Sequence, residues 1–114
     1  MMSPDLQRIK HIRDYCIAIQ HTIERYGNTF EQYAADADYQ RSIAFSILQI
    51  GELSGSLSEE YKKQTSNRMP WKHIKGMRNL FAHSYGTMDH SMIWETASQD
   101  IPDLLQFCNE ELAE

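Results

Sequence analysis

Little in this chain points to a membrane, a metal or a cross-linked scaffold. It has no run of about 18 apolar residues, so no segment reads as a membrane span. Its start, Met1-Met2-Ser3-Pro4-Asp5, lacks the basic and apolar stretches of a secretion signal, which leaves the cytoplasm as the expected location. There are 2 cysteines, Cys16 and Cys108, near opposite ends of the chain. Neither has the close spacing of a zinc or redox motif. Both fall on apolar helix faces, so they read as buried thiols in a reducing cytosol. The 5 histidines, His11, His21, His73, His83 and His90, are never three or four apart. No helix presents two of them as adjacent ligands, so no metal and no other cofactor is expected. Strand alternation, internal repeats and low-complexity segments are absent as well.

Acidic residues are missing from one place in particular. Between Tyr61 and His83 the sequence holds Lys62, Lys63, Arg68, Lys72, Lys75 and Arg78 and no carboxylate. The whole chain has net charge −5, which argues against wholesale attraction to nucleic acid. The asymmetry is nonetheless an electrostatic signal, because the remainder is strongly acidic. A solvated helix face is the plainer explanation of such a run.

What is present is helix. At 114 residues the chain reads as one domain, residues 1–114, large enough for a single core. Ser3-Pro4-Asp5 is a helix start, with a capping hydroxyl, an early proline and an early acid. Ile9, Ile12, Cys16, Ile19, Ile23 and Tyr26 follow as a narrow apolar seam, the kind that packs against another helix and a candidate dimer surface. Gly27-Asn28 ends it. Thr29 caps a short helix, which Asp36 and Asp38 break before the next begins. From Tyr39 to about Leu57 apolar residues nearly encircle the helix, which places it centrally. Gly51 and Gly55 there suggest close approach of a neighbouring backbone. Glu52 is the one charge between Ile43 and Leu57: either it lies on a narrow solvent face, or it orients an arginine across the core. Ser58 to Pro70 reads as a polar loop with a turn of helix near Glu59–Lys62. Pro70-Trp71 opens a helix running to about His83, with Gly86 as its stop. Asp89 caps a last helix whose face is Ile93, Ala97, Ile101, Leu104, Cys108 and Leu112, and Pro102 should kink or split it. The expected fold class is all-α, an antiparallel bundle of four principal helices plus short helical segments.

The chemistry concentrates in Arg78-Asn79-Leu80-Phe81-Ala82-His83-Ser84-Tyr85. A guanidinium holds phosphate, and an imidazole moves protons near neutral pH. Metal-free cleavage of RNA needs those two functions: a base to free the 2′-hydroxyl, an acid for the leaving oxygen, and a cation on the transition state. Taken singly, the residues have ordinary uses, Arg78 as a surface ion pair, His83 as a helix-end contact and Tyr85 as core filler. Five residues turn a helix through about 500°, so Arg78 and His83 point about 140° apart while the helix stays regular. They converge if the helix ends near His83, or if a second chain supplies partner groups.

Arg78-Asn79-x-x-x-His83-x-Tyr85 resembles the signature of HEPN domains, in the branch that includes the HepT ribonuclease toxins. Ile47-Leu48-Gln49-Ile50-Gly51-Glu52, Pro70-Trp71, Asp89, Trp94 and Asp100-Ile101-Pro102 are similar to that branch too. The resemblance covers nearly the whole chain. It implies an α-helical bundle that dimerises with the motifs of both chains lining one cleft. It also implies a partner, a minimal nucleotidyltransferase antitoxin that adenylylates the tyrosine matching Tyr85.

The expectation is therefore a metal-independent endoribonuclease toxin acting on RNA as a homodimer. Arg78 holds phosphate, His83 moves protons, Asn79 and Lys75 bind or orient the substrate, Tyr85 is the control point, and Glu52 supports Arg78. One chain offers one His83; a two-fold dimer offers two, which divide the base and acid roles. The alternative is a non-catalytic HEPN binding module that partners a nucleotidyltransferase.

Overall fold

The computed structural model describes residues 2–113. Its helices in chain order are α1 (Pro4–Tyr26), α2 (Phe30–Ala34), α3 (Ala37–Gly55), α4 (Glu59–Thr65) and α5 (Trp71–His83), then α6 (His90–Glu95) and α7 (Ile101–Leu112). A single 3-10 turn, Tyr85–Thr87, follows α5, and a π-helical turn, Thr96–Asp100, joins α6 to α7. Among the described residues there is no strand.

The starts of these helices follow from side-chain oxygens that satisfy free N–H groups. Ser3 Oγ accepts from the Leu6 amide at 3.2 Å, Thr29 Oγ1 from Gln32 at 3.1 Å and Ser58 Oγ from Tyr61 at 3.1 Å. Asp36 and Asp89 cap α3 and α6 in the same way. α1 stops at Gly27, whose φ of 116° lies where a side chain would be strained. Pro102 has no N–H to give to the turn behind it. The chain answers with the π-turn, in which the Ile101 amide reaches back five residues to the Thr96 carbonyl. The last helix is thus split as its proline requires.

Two contacts set α1 and α3 antiparallel. The Tyr39 hydroxyl donates to the Gly27 carbonyl at 2.9 Å, joining the start of α3 to the end of α1. At the other end the Ser58 amide and hydroxyl donate to Asp5 at 2.8 and 2.6 Å. These bonds hold the Asp5 carboxyl below its ordinary range. α7 also packs on α1 and α5 packs on α3, so α1, α3, α5 and the α6–α7 rod form the four-helix bundle.

The α1 seam belongs to this core. Ile9, Ile12, Cys16 and Ile19 are buried against α3 and α7, and Ile23 and Tyr26 are partly buried, so the seam cannot serve as a dimer surface. A seam that narrow is filled here by neighbours in the same chain. Cys16 and Cys108 are free, buried thiols, and burial pushes the Cys108 thiol up to about 12. Two further expectations change. The segment after Ser58 forms two turns of helix rather than one, because Trp71 Nε1 donates to Thr65 Oγ1 at 2.8 Å and makes Thr65 part of the buried structure. Gly55 has open space around its Cα, so of the two glycines only Gly51 marks a close approach.

Candidate active site

α5 stands at the edge of the bundle with its motif turned outward. Trp71, Met77 and Phe81 are buried and Ile74 partly so. At about 100° per residue, Lys72, Lys75, Gly76, Asn79 and His83 fall on the opposite face. All five are exposed. Arg78 lies at the border, facing α3.

The seat of Arg78 is made by three residues. Gly51 is buried on α3, and a Cβ there would stand 2.7 Å from Cγ of Arg78 and 3.3 Å from its Cα. The arginine stem occupies the space that a side chain at 51 would fill. Arg78 Nε donates to Oε1 of Glu52, and Nη1 donates to Oδ1 of Asn79 at 3.1 Å. A guanidinium has five N–H donors. Nη2 and one hydrogen of Nη1 carry no hydrogen bond among the described residues, and paired guanidinium N–H groups are the kind that can hold an anion by two parallel bonds. The ion pair lies at the surface, with side-chain exposures of 33% for Arg78 and 48% for Glu52. Glu52 therefore orients the arginine from the solvent side of α3 rather than across the core.

His83 is the last residue of α5, where the Ser84 amide closes the final turn on the Leu80 carbonyl at 2.8 Å. Among the described residues no side-chain hydrogen bond reaches its imidazole, which is exposed. The helix is regular up to and including His83, and Gly86 lies beyond its end, in the 3-10 turn. Arg78 and His83 thus still diverge by about 140°, and no hydrogen bond joins them. The helix end does not bring them together within one chain.

Tyr85 opens the 3-10 turn half-buried. Its ring stacks on Phe81 at 5.9 Å between centroids and meets His90 edge-on at 6.5 Å. The ring is therefore packed rather than free-standing, while its hydroxyl makes no hydrogen bond among the described residues. Lys75 is exposed one turn before Arg78 and Asn79, with no carboxylate within ion-pair distance among the described residues.

His90 is the neighbour that spacing alone does not reveal. Its Nδ1 lies 3.0 Å from the Tyr33 hydroxyl, and this hydroxyl is driven far above its ordinary range, chiefly by burial. Tyr33 comes from α2, so the contact is visible only after the bundle forms. The part played by Gly51 was legible as a suspicion of close approach, but nothing in the sequence named Arg78 as the group that approaches.

The basic run also divides. Lys62 pairs with Glu59 at 3.0 Å, and Arg68 pairs with Glu110 and Glu111 at 3.1 and 2.8 Å, while Arg78 holds Glu52. Among the described residues Lys63, Lys72 and Lys75 have no such partner. No group of three or more His, Cys, Asp or Glu is placed to hold a metal ion, and no helix is long and apolar enough to cross a membrane, again among the described residues.

A family model for ribonuclease HepT-like proteins matches residues 6–111. The chain belongs to the HepT-like family. Its HepT-like relatives include "Putative RNase TTE0752" of Caldanaerobacter subterraneus subsp. tengcongensis, 35% identical over 97 residues, covering 84% of this chain and 83% of the relative. "Probable ribonuclease HepT" of Thermococcus cleftensis is 29% identical over 75 residues, covering 66% of this chain and 67% of the relative. No solved structure gives a significant match.

Proposed function

We propose that this HepT-like protein is a metal-independent endoribonuclease, the toxin of a toxin–antitoxin pair. The observation that carries the reading is the seat of Arg78. A buried glycine, a carboxylate and an amide hold one guanidinium at the surface with its outer donors vacant, and a free imidazole follows on the same helix. A structural ion pair needs no glycine cut to the arginine stem. Arg78 grips the scissile phosphate and stabilises the charge that grows on it. His83 transfers the protons. Asn79 orients Arg78 through Oδ1 and keeps its amide hydrogens for substrate oxygens.

Divergence of Arg78 and His83 within one chain supports a homodimer in which two copies complete the site. With the α1 seam consumed, the exposed large hydrophobic side chains among the described residues are Met2, Phe30, Phe45 and Leu80, and the most exposed of them, on α3, is the surface we assign to a second copy. Phe45 is 58% exposed there, beside Tyr15 of α1 at 6.2 Å between ring centroids. Phe45, Leu48 and Glu52 are spaced i, i+3, i+7 and share one face of α3. A partner copy seated on Phe45 therefore lies alongside the Glu52–Arg78 pair.

Control falls to Tyr85. Its packed ring fixes the position of a hydroxyl that the protein leaves free, which suits it to accept AMP from a nucleotidyltransferase antitoxin. The added phosphate competes for Arg78 and repels RNA within a Debye length of about 8–10 Å.

Incubating purified protein with bulk RNA, with and without EDTA, tests the central reading. Cleavage in both conditions is expected. Loss with chelator and rescue by a divalent ion would overturn the metal-free mechanism. Intact RNA in both would favour the other reading, a binding module for a nucleotidyltransferase. Co-expression with the antitoxin followed by intact-mass analysis tests the switch: an AMP adduct on Tyr85 is expected, and an adduct elsewhere refutes it.

A further inference from the structure

The outward face of α5 carries more than His83. Measured from Lys72 at about 100° per residue, Lys75, Asn79, His83 and Gly76 all lie within an arc of about 100°. The free lysines of α5, Lys72 and Lys75, are both in this arc. The paired cations are not: Lys62 and Arg68 lie outside α5, and Arg78 sits at the α3 border. From Lys72 to His83 the line runs about 16 Å along the helix.

Gly76 lies in the middle of this line. A Cβ there would meet nothing within 4 Å, so packing within the chain does not require glycine. Mid-helix glycine weakens a helix relative to alanine, and what it leaves is bare helix between two lysines and Asn79. The far flank is acidic. Asp100 faces His73, and Glu95 and Asp103 are close enough to act on it. Negative charge on that flank disfavours a polyanion there.

We propose that Lys72, Gly76, Lys75 and Asn79 form a track that holds one strand of RNA by its phosphates and leads it to His83 at the end of α5. The track rests on the nuclease reading and extends it to the substrate's form: a single strand, taken without regard to sequence. Lysines are point charges that contact phosphate and carry no base information. Asn79 is the track's one amide, and its Oδ1 is already committed to Arg78.

The test is binding of a labelled, mixed-sequence single-stranded RNA to the His83→Ala protein, measured by anisotropy across a salt series. Lys72→Ala and Lys75→Ala should each weaken binding several-fold and reduce the salt slope by about 0.7. Gly76→Gln should weaken binding while leaving the salt slope unchanged. Lys10→Ala, on the exposed face of α1, should match its parent in affinity and slope. An unlabelled RNA duplex should compete less well than the single strand. Affinities and slopes unchanged in both track variants would overturn the proposal, as would better competition by the duplex. Cleavage of the same RNA by the wild-type chain, run alongside, judges the nuclease reading separately: cleavage with unaltered track variants removes the track alone.

Discussion

A methyl group at position 51 would occupy the space of the Arg78 stem, since it would stand 2.7 Å from Cγ. Gly51→Ala should therefore push the arginine off Glu52 and Asn79. Overpacking of this kind costs about 1–3 kcal/mol. The larger effect should be on cleavage, with kcat falling more than tenfold while the fold survives by circular dichroism. Wild-type kcat in a folded Gly51→Ala protein would show that the seat does not position the arginine. His83→Ala should lower kcat by roughly 10²–10⁴, the usual contribution of general acid–base catalysis, at an unchanged Tm. Arg78→Lys should fail as well, because an ammonium cannot reproduce the planar two-point grip. Equal cleavage by the lysine variant would reduce position 78 to general electrostatics.

At the scale of elements, the entry to α5 depends on α4. Trp71 is buried, and its indole N–H donates to Thr65 Oγ1 at 2.8 Å. Thr65 in turn donates to the Tyr61 carbonyl at 2.8 Å. Thr65→Val keeps the shape but leaves a buried donor unmatched, a loss of about 1–3 kcal/mol. Urea denaturation should show the lower midpoint with an unchanged m value. An unchanged midpoint would mean that α4 does not anchor α5. The starts of the helices were legible in Ser3, Thr29, Asp36 and Asp89, because a cap acts over three residues and needs no distant partner. The length of α4 was not, because it is set by Trp71 reaching back to Thr65 after both have packed.

At the scale of the molecule, the C-terminus of α7 ties down the basic segment. Glu111 accepts from Tyr61 Oη at 2.6 Å and from Arg68 at 2.8 Å, and these bonds, the tyrosine's first, hold its carboxyl below the ordinary range. A carboxyl depressed in the folded state stabilises the protein above its unfolded pKa, and that stability is lost as pH falls through the folded value. Glu111→Gln should thus cost about 1–3 kcal/mol near neutral pH. The gap should narrow as pH falls below about 4, near the unperturbed glutamate value. A gap independent of pH would remove the charge from the explanation. Assembly is tested by Phe45→Asp, which should leave a folded monomer by light scattering with most cleavage lost. A fully active monomer would count against the shared site.

The local pattern of residues determined the helical class, the caps, the break at Pro102 and the identity of the motif, because each depends on spacing of a few residues along one helix. Tertiary structure decided the rest. It turned the α1 seam inward, since α3 and α7 of the same chain cover it. It separated Arg68 and Arg78 from the free lysines, because their carboxylate partners on α7 and α3 are distant in sequence. It also set Gly51 against Arg78, a contact that exists only where α3 and α5 pack side by side.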